Sequence, residues 1–202
     1  MYLQIFIILV CYLIGSIPFG VLIAKFAGLG DLRKQGSGNI GATNVVRVGG
    51  KKLGLIVLLL DAAKGVAAIS FVNQIGKPEY SEIAGLVAVI GHVFPIWLKF
   101  KGGKGVATTL AALLTLNPAV GLFSIAIWLT TFLFTKLSSL SAIVSIGLSP
   151  ILSFALGSTT LLFTNIILSA IVIFRHHSNI KRLLSGEEKR IKKDASTSKK
   201  RK

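Results

Sequence analysis

Residues 99–105 read KFKGGKG and place three lysines and three glycines between two strongly apolar segments. Glycine lets the backbone approach a ligand closely, and successive free N–H groups in such a turn form an anion-binding concavity. Lys104 adds a mobile positive charge beside that concavity. The alternative is a basic loop that only follows the positive-inside rule. The interleaved glycines favour a phosphate cradle built from Lys104, Gly102, Gly103 and Gly105.

A second glycine-rich stretch, residues 31–47, reads DLRKQGSGNIGATNVVR. Its GxGxxG pattern fails as a dinucleotide fingerprint, because no strand precedes it and no βαβ unit surrounds it. The stretch is dense in hydrogen-bond donors, and its last arginine offers a planar fork that suits phosphate. An ordered surface loop is the alternative, but such a loop needs few of these donors. The residues of the expected anion site are Gly36, Ser37, Gly38, Asn39, Thr43, Asn44 and Arg47.

The segment 175–182, RHHSNIKR, follows the last apolar run. His176 and Asn179 are three residues apart, so a continuing helix puts them on one face. Adjacent histidines suggest a metal site, but no cytoplasmic Cys/His/Glu constellation accompanies them, so no metal is expected. Ser138, Ser139 and Ser141 open an earlier apolar segment. They either cap its helix or add hydroxyl donors to a nearby anion site.

Three other polar side chains lie inside apolar segments and are expected to be mainly structural. Asp61 and Lys64 are three residues apart on one helical face, where they can neutralise each other inside the bundle. His92 is expected to be a hydrogen-bonded helix histidine rather than a catalyst or a metal ligand.

The elements that position these residues are membrane helices. Hydrophobic residues make up 52% of the 202 residues, the mean hydropathy is +0.76, and only 15% of residues are charged. A soluble domain carries roughly 25% charged residues. The net charge of +16 fits basic loops and anionic lipid better than nucleic acid, because apolar segments separate the basic clusters. Cys11 is the only cysteine, so no internal disulfide is expected.

Seven apolar segments predict an all-α, polytopic integral membrane protein with about seven transmembrane helices. They cover residues 3–24, 53–72, 83–98, 106–116, 119–135, 140–156 and 159–174. Pro18 is expected to kink the first span, and the segment 106–116 is barely long enough to cross.

The basic residues set the orientation of these seven segments. Six lie in 25–52, three in 99–104, one at Lys136 and eleven in 175–202, so 21 of 23 fall on one side. The positive-inside rule then places the N-terminus outside and the C-terminus in the cytoplasm. We expect a membrane-embedded domain over 1–182 and a basic cytoplasmic tail over 183–202. Residues 192–202 are expected to be disordered and to contact anionic lipid.

The three polar stretches, in order, resemble the motifs of the bacterial acyl-phosphate:glycerol-3-phosphate acyltransferases, the PlsY family. They appear here as GSGNIGATNVVR, as GHVFP followed by KFKGGKGVAT, and as RHHSNIKRLLSGEE. The resemblance covers most of the chain, and three motifs in order are highly specific. It implies a multi-pass protein of the bacterial inner membrane with its active site at the cytoplasmic face.

The resemblance implies transfer of a fatty acyl group from acyl phosphate to the 1-hydroxyl of glycerol 3-phosphate, which gives lysophosphatidic acid for phospholipid synthesis. Acyl phosphate is already activated, so positioning and charge stabilisation suffice and no cofactor is expected. The implied partners are the two substrates, membrane lipids and, functionally, an enzyme that forms acyl phosphate.

Carried over residue by residue, the resemblance implies catalytic roles for Ser37, Arg47, Lys104, His176 and Asn179. The substrate-binding residues that it adds are Gly102, Gly103, Gly105, Ser139 and Glu188.

Two other classes of protein compete with the enzyme. A transporter for a phosphate-containing anion could use the same basic glycine-rich loops, but the spans show no internal repeat. A structural membrane protein with basic loops leaves the three motifs unexplained.

Overall fold

The computed structural model describes residues 2–191, and within that range its regular secondary structure is all helical and contains no strand. The predicted disorder of residues 192–202 lies outside the described residues. The helices are α1 (Tyr2–Ser16), α2 (Phe19–Phe26), α3 (Ala42–Gly49), α4 (Lys51–Gln74), α5 (Ser81–Val93), α6 (Val106–Leu116), α7 (Pro118–Thr135), α8 (Ser138–Ala155), α9 (Thr159–Arg175) and α10 (His177–Leu184). Short 3₁₀ turns lie at Leu32–Lys34, Pro78–Tyr80 and Ile96–Leu98.

Five segments in the described range are long and apolar enough to cross a bilayer. They are Tyr2–Phe26, Lys51–Gln74, Pro78–Leu98, Pro118–Thr135 and Ser138–Ala155. Helices α9 and α10 make a sixth span if they are counted together, and they meet at a bend of 61°. The predicted all-helical, multi-pass architecture is therefore confirmed, while the count of seven spans and their orientation stay predictions.

Helix α6 is the segment on which the seventh span depends. Its eleven residues make a helix roughly 16 Å long, about half the hydrocarbon thickness of a bilayer. It packs against α4, α5 and α7, and its side chains Thr108, Thr109, Ala112 and Leu113 are buried. The last two residues of the irregular backbone that precedes it, Lys104 and Gly105, line a cavity, which is a setting where membrane proteins tolerate non-helical backbone.

The polar region 25–52, predicted as a loop, contains helix α3. Its apolar side chains recur at helical spacing and bury Val45 against Ala24, Leu32 and Val57. The predicted kink at Pro18 is a short break between α1 and α2.

Close helix contacts at small residues fix the two helices that flank the site. A Cβ on Gly65 of α4 would lie 2.6 Å from the Thr108 carbonyl oxygen of α6, so only glycine allows this approach. The Thr108 hydroxyl donates to the Asp61 carbonyl oxygen at 2.8 Å and sets the register of the two helices. The start of α6 is thereby held against the middle of α4.

A buried polar ladder holds α8 against α9. The Asn165 amide accepts from Ser149 Oγ at 2.8 Å and donates to Ser153 Oγ at 2.9 Å, and all three residues are buried. Ser169 Oγ donates to the Ile146 carbonyl oxygen at 2.6 Å. Hydrogen bonds of this kind hold membrane helices together where lipid offers no polar partner. They hold the middle and the C-terminal half of α8 against α9.

Candidate active site

A cavity of about 400 Å³ brings the three polar stretches together. The sequence-predicted residues that line it are Ser37, Asn39, Thr43, Asn44, Arg47, Lys104, Gly105, Ser139, His176, Asn179 and Glu188. Gly36 lines a smaller cavity next to it, with Ser37, Arg47 and Glu188. The predicted residues that line neither cavity are Gly38, Gly102 and Gly103.

Four helices begin at this cavity. The first residues of α3, α6 and α8 line it, and so do His176 and Asn179 at the start of α10. The unpaired N–H groups at a helix N-terminus carry partial positive charge and favour an anion. Arg47 and Lys104 add full charges to the same space. The polar end of the cavity is therefore built for a multiply charged anion such as phosphate.

A chain of hydrogen bonds links the second and third stretches. Lys104 Nζ donates to Asn179 Oδ1, and Asn179 Nδ2 donates to Glu188 Oε1 at 2.7 Å. Ser139 Oγ also donates to Glu188 Oε1 at 2.7 Å, and Arg182 Nε donates to Glu188 Oε2 at 2.7 Å. Four of the predicted site residues, Lys104, Ser139, Asn179 and Glu188, therefore form one network.

The ionisation of this network is set by burial and by its own charges. Burial lowers the pKa of Lys104 to about 8, and the Glu188 carboxylate opposes this shift. Burial alone would raise the pKa of Glu188, but hydrogen bonds from Ser139, Asn179 and Arg182 outweigh it and the net shift is downward. Near neutral pH the site therefore holds a charged Lys104 beside a charged Glu188.

The predicted tail starts at residue 183, and its described part, residues 183–191, returns to the site. Besides Glu188, which accepts from three side chains, the Lys189 carbonyl oxygen accepts from Arg47 Nη2 at 3.0 Å. The Ile191 N–H donates to the Lys136 carbonyl oxygen at 3.1 Å. Glu188 thus lines the cavity and Lys189 lines the smaller one beside it, while the domain boundary predicted at 182 stays a prediction.

His176 is buried and its ring orientation is fixed. Its Nδ1 lies 2.7 Å from the Val172 carbonyl oxygen, which can only accept, so Nδ1 carries the proton. Nε2 is then the acceptor that lines the cavity. The helix does not continue through this residue, because α9 ends at Arg175 and α10 starts at His177. His176 and Asn179 nevertheless both reach the cavity, since the bend lies between the two helices.

Asn44 organises the first glycine-rich stretch. Its Oδ1 accepts from the Ser37 N–H at 2.8 Å, and its Nδ2 lies within 3.2 Å of the carbonyl oxygens of Leu32, Gln35 and Asn39. Gly36 has a φ of +62°, and a Cβ there would meet Asn44 Oδ1 at 2.1 Å. The Asn44 amide, which was predicted to donate to a substrate, is thus used to hold the loop together. Ser37 and Arg47 line both cavities.

The second stretch differs from the predicted cradle. The N–H groups of Gly102 and Gly103, expected to be free for an anion, donate to the carbonyl oxygens of Val93 and His92, each at 3.1 Å. A Cβ on Gly103 would lie 2.1 Å from His92 Nε2, so these glycines allow close packing on α5. Arg175 secures the turn from the other side through Gly102 and Gly103 carbonyl oxygens. The anion-facing part of the stretch is therefore Lys104 with the start of α6.

The serines that open α8 do not cap it. Ser141 Oγ donates to the Leu137 carbonyl oxygen at 2.9 Å, while Ser139 contacts Glu188. Ser138 Oγ lies 3.0 Å from Thr43 Oγ1 and joins α8 to α3. Of the three serines, Ser138 and Ser139 line the cavity, and their role as hydroxyl donors to an anion stays a prediction.

The other half of the cavity is apolar and was not predicted from the sequence. It is lined by Ala62, Leu58, Leu59, Leu110, Ala111, Leu114, Ile125, Trp128 and Leu129. Leu114 lies nine residues after Gly105 on α6, so this groove runs roughly 13 Å along the helix away from the charged end. A phosphate-sized polar end joined to a long apolar groove suits an amphipathic ligand.

Asp61 and His92 also line the cavity, although both were expected to be structural. One signal in the sequence could have indicated this. Asp61 lies three residues after Leu58, on one helical face, so a polar group and a groove-lining leucine share that face.

Known proteins match both the sequence and the fold. A sequence model of the glycerol-3-phosphate acyltransferase family matches residues 5–186. A glycerol-3-phosphate acyltransferase of Agrobacterium fabrum is 50% identical over 185 residues, which cover 91% of this chain and 89% of that protein. The crystal structure of PlsY, an integral membrane glycerol 3-phosphate acyltransferase, in its glycerol 3-phosphate form matches with a TM-score of 0.86 and 41% identity. That match covers 93% of this chain and 95% of PlsY.

A second PlsY structure, in the lysophosphatidic acid form, matches with a TM-score of 0.84 and 40% identity over the same share of each chain. Together, the fold, the site and these matches define an integral membrane acyltransferase. The chain belongs to the glycerol-3-phosphate acyltransferase family, the PlsY family, as its three motifs indicated.

Proposed function

We propose that this protein transfers a fatty acyl group from acyl phosphate to the 1-hydroxyl of glycerol 3-phosphate, releasing lysophosphatidic acid and phosphate. The observation that carries the proposal is a cavity that is cationic at one end and apolar along the other. Acyl phosphate has this same division, with a phosphate head and an alkyl chain. The glycerol 3-phosphate and lysophosphatidic acid forms of the related PlsY support the second substrate and the product.

The chemistry needs positioning more than acid–base strength. The hydroxyl oxygen attacks the acyl carbon, the bond between that carbon and the phosphate oxygen breaks, and the hydroxyl proton ends on the released phosphate. Lys104, Arg47 and the helix N-termini hold the phosphate groups and stabilise the charge that the leaving phosphate acquires. Ser37, exposed at the mouth of the cavity, is placed to orient a substrate oxygen.

His176 and Asn179 orient glycerol 3-phosphate in this scheme. His176 Nε2 accepts the hydrogen bond of the attacking hydroxyl, because Nδ1 is committed to the Val172 carbonyl oxygen. A base role for His176 is the second possibility, since the same nitrogen could take the proton. Asn179 holds Lys104 and Glu188 in place and so connects the histidine helix to the phosphate site.

The proposed location is the inner membrane of a bacterium, with the active site at the cytoplasmic face. The basic residues support this placement, because 25–52, 99–104, Lys136 and the segment after 174 carry 21 of the 23 lysines and arginines. Coupling to an enzyme that forms acyl phosphate is part of the proposal, because the substrate is reactive and amphipathic.

The experiment is an assay of the purified protein with acyl phosphate and glycerol 3-phosphate, with lysophosphatidic acid measured by mass spectrometry. Parallel assays replace acyl phosphate with acyl-CoA or with acylated carrier protein. Product from acyl phosphate alone is the expected result. No product from a correctly folded protein, or product from the other donors only, would remove the proposal.

A further inference from the structure

Lys64 is buried inside the bundle with all its hydrogen-bonding capacity used. Its Nζ lies 2.9 Å from Asp61 Oδ1, 3.0 Å from the Ile17 carbonyl oxygen and 2.8 Å from His92 Nδ1. An ammonium group has three donors and no acceptor. The three contacts therefore match the three donors, and His92 Nδ1 must be an acceptor. It follows that His92 is neutral, with its proton on Nε2.

The imidazole that carries this Nε2 proton belongs to a residue of the cavity wall. His92 is only 6% exposed, yet its ring lines the cavity together with Lys104 and Gly105. Nε2 is in contact with Gly103, where a Cβ would come within 2.1 Å of it. Within residues 2–191, Nε2 makes no hydrogen bond to a protein atom, whereas Nδ1 is paired with Lys64. An N–H donor at a cavity wall that is not used by the protein is available to an acceptor on a bound ligand.

The surroundings of Nε2 favour an anionic acceptor. Lys104 and the N-terminus of α6 both face the same space. Asp61 is the one carboxylate of the triad, and its charge is balanced by Lys64 at 2.9 Å. The Asp61–Lys64–His92 group is thus neutral overall and presents an N–H donor rather than a charge.

We propose that His92 is a substrate-binding residue whose Nε2–H donates to a phosphate oxygen of acyl phosphate or of glycerol 3-phosphate at the floor of the cavity. Asp61 and Lys64 are positioning residues that hold the imidazole in the tautomer this contact needs. The inference rests on the proposed function for the identity of the substrates. The test below also decides about His92 without turnover.

Nitrogen-15 NMR of the full chain labelled at histidine tests the tautomer and the contact directly. The protein has three histidines. His176 and His177 each place Nδ1 against a carbonyl oxygen, at 2.7 Å and 3.0 Å, so both carry the proton on Nδ1. His92 is expected to show the opposite, Nε2–H tautomer, and His92→Asn assigns its signal by removing it. Inorganic phosphate or glycerol 3-phosphate is expected to shift the Nε2–H resonance.

Steady-state kinetics of His92→Asn separate a binding role from a structural one. The asparagine amide oxygen can replace Nδ1 as the acceptor for Lys64, while the Nε2–H donor is lost. We expect the KM of the substrate that places its phosphate there to rise roughly tenfold or more, as for a lost hydrogen bond to a charged group. The substrate whose KM rises identifies the source of the phosphate. His177→Asn, at an exposed histidine, is the matched control and is expected to keep both KM values.

Three results would overturn the proposal. The first is an Nδ1–H tautomer of His92. The second is an Nε2–H signal that neither inorganic phosphate nor glycerol 3-phosphate moves. The third is a His92→Asn variant with both KM values unchanged, even if kcat or the melting temperature falls. If the unmodified protein forms no lysophosphatidic acid, the proposed function fails while the NMR titrations still decide about His92.

Discussion

The charge of Lys104 depends on its surroundings in the site. Its pKa is lowered to about 8 by burial, so above that pH the ammonium becomes neutral and phosphate binding weakens. We expect kcat/KM, which reports on the free enzyme, to fall on the alkaline side with an apparent pKa near this value. Lys104→Arg stays charged throughout, so that variant should lose the alkaline limb and, because its fit to the site differs, have lower activity.

Lys104→Ala removes the charge altogether and should reduce kcat/KM by roughly a hundredfold or more, as for a hydrogen bond to a charged group. Rates measured from pH 6 to 10 check both variants. Unchanged kinetics in Lys104→Ala would remove this residue from the site.

Glu188 affects the pH at which Lys104 loses its proton. Its carboxylate raises the pKa of Lys104 against the effect of burial. In Glu188→Gln that support is lost, so the alkaline limb of kcat/KM should move to lower pH. Glu187→Gln is the matched control, because Glu187 is exposed and its carboxylate contacts Ser185 rather than the network. If the alkaline limb of kcat/KM lay at the same pH in Glu188→Gln and in Glu187→Gln, the effect of Glu188 on the pKa of Lys104 would be contradicted.

His176 distinguishes orientation of the substrate from proton removal. If it orients the hydroxyl through Nε2, His176→Gln should keep part of the activity and chiefly raise the KM for glycerol 3-phosphate. If it removes the proton, kcat should fall by about 10² to 10⁴ and an acid limb in the pH profile should disappear. Separate measurement of kcat and KM against pH decides. Both constants unchanged in His176→Ala would leave the histidine as a structural residue at the helix end.

At the scale of elements, the turn before α6 must pack directly on α5. A Cβ on Gly103 would lie 2.1 Å from His92 Nε2 and within 3.0 Å of two ring carbons, so Gly103→Ala should displace the turn and the lysine that follows it. We expect kcat/KM to fall at least tenfold, because small displacements of positioning groups are costly. Gly147→Ala is the matched control, since its added Cβ would meet only Ile173 at 3.7 Å. Similar activity in the two alanine variants would show that this contact is not needed.

The elements also show what a single sequence could predict. Apolar length predicted most of the spans, because membrane helices depend on local composition. Glycine and lysine content located the site, but it could not show that the N–H groups of Gly102 and Gly103 donate to backbone carbonyl oxygens. Those bonds join residues on different elements. The same holds for Asn44 of α3, whose side chain donates to three carbonyl oxygens of the preceding loop.

Helix α3 and the apolar groove were missed for a related reason. The glycines of the first stretch drew attention to turns, while the apolar spacing that buries Val45 extends over only eight residues. The groove combines side chains from α4, α6 and α7, and no pattern within one segment reveals that they face one another. The sequence indicated the Asp61–Lys64 pair and His92 separately. The cavity beside them depends on how three helices pack together.

For the molecule as a whole, we expect Arg33, Lys101, Lys136 and Lys181 to lie on the cytoplasmic side. Single cysteines at these positions in a Cys11→Ser background can be tested with membrane-impermeant thiol reagents. No labelling from outside intact cells is expected, and labelling should appear once the membrane is opened. A cysteine at Lys77, between α4 and α5, is the control that should react from outside. External labelling of Lys101→Cys would contradict the seven-span orientation.

The central claim is that the two substrates meet in this cavity and that the glycerol hydroxyl attacks the acyl carbon. The most direct measurement uses acyl phosphate with oxygen-18 in the oxygen that bridges carbon and phosphorus. We expect that glycerol 3-phosphate becomes lysophosphatidic acid with an unlabelled ester bridge, and that the label appears in inorganic phosphate. Label in the ester bridge of lysophosphatidic acid, or no lysophosphatidic acid from the folded protein, would contradict the account.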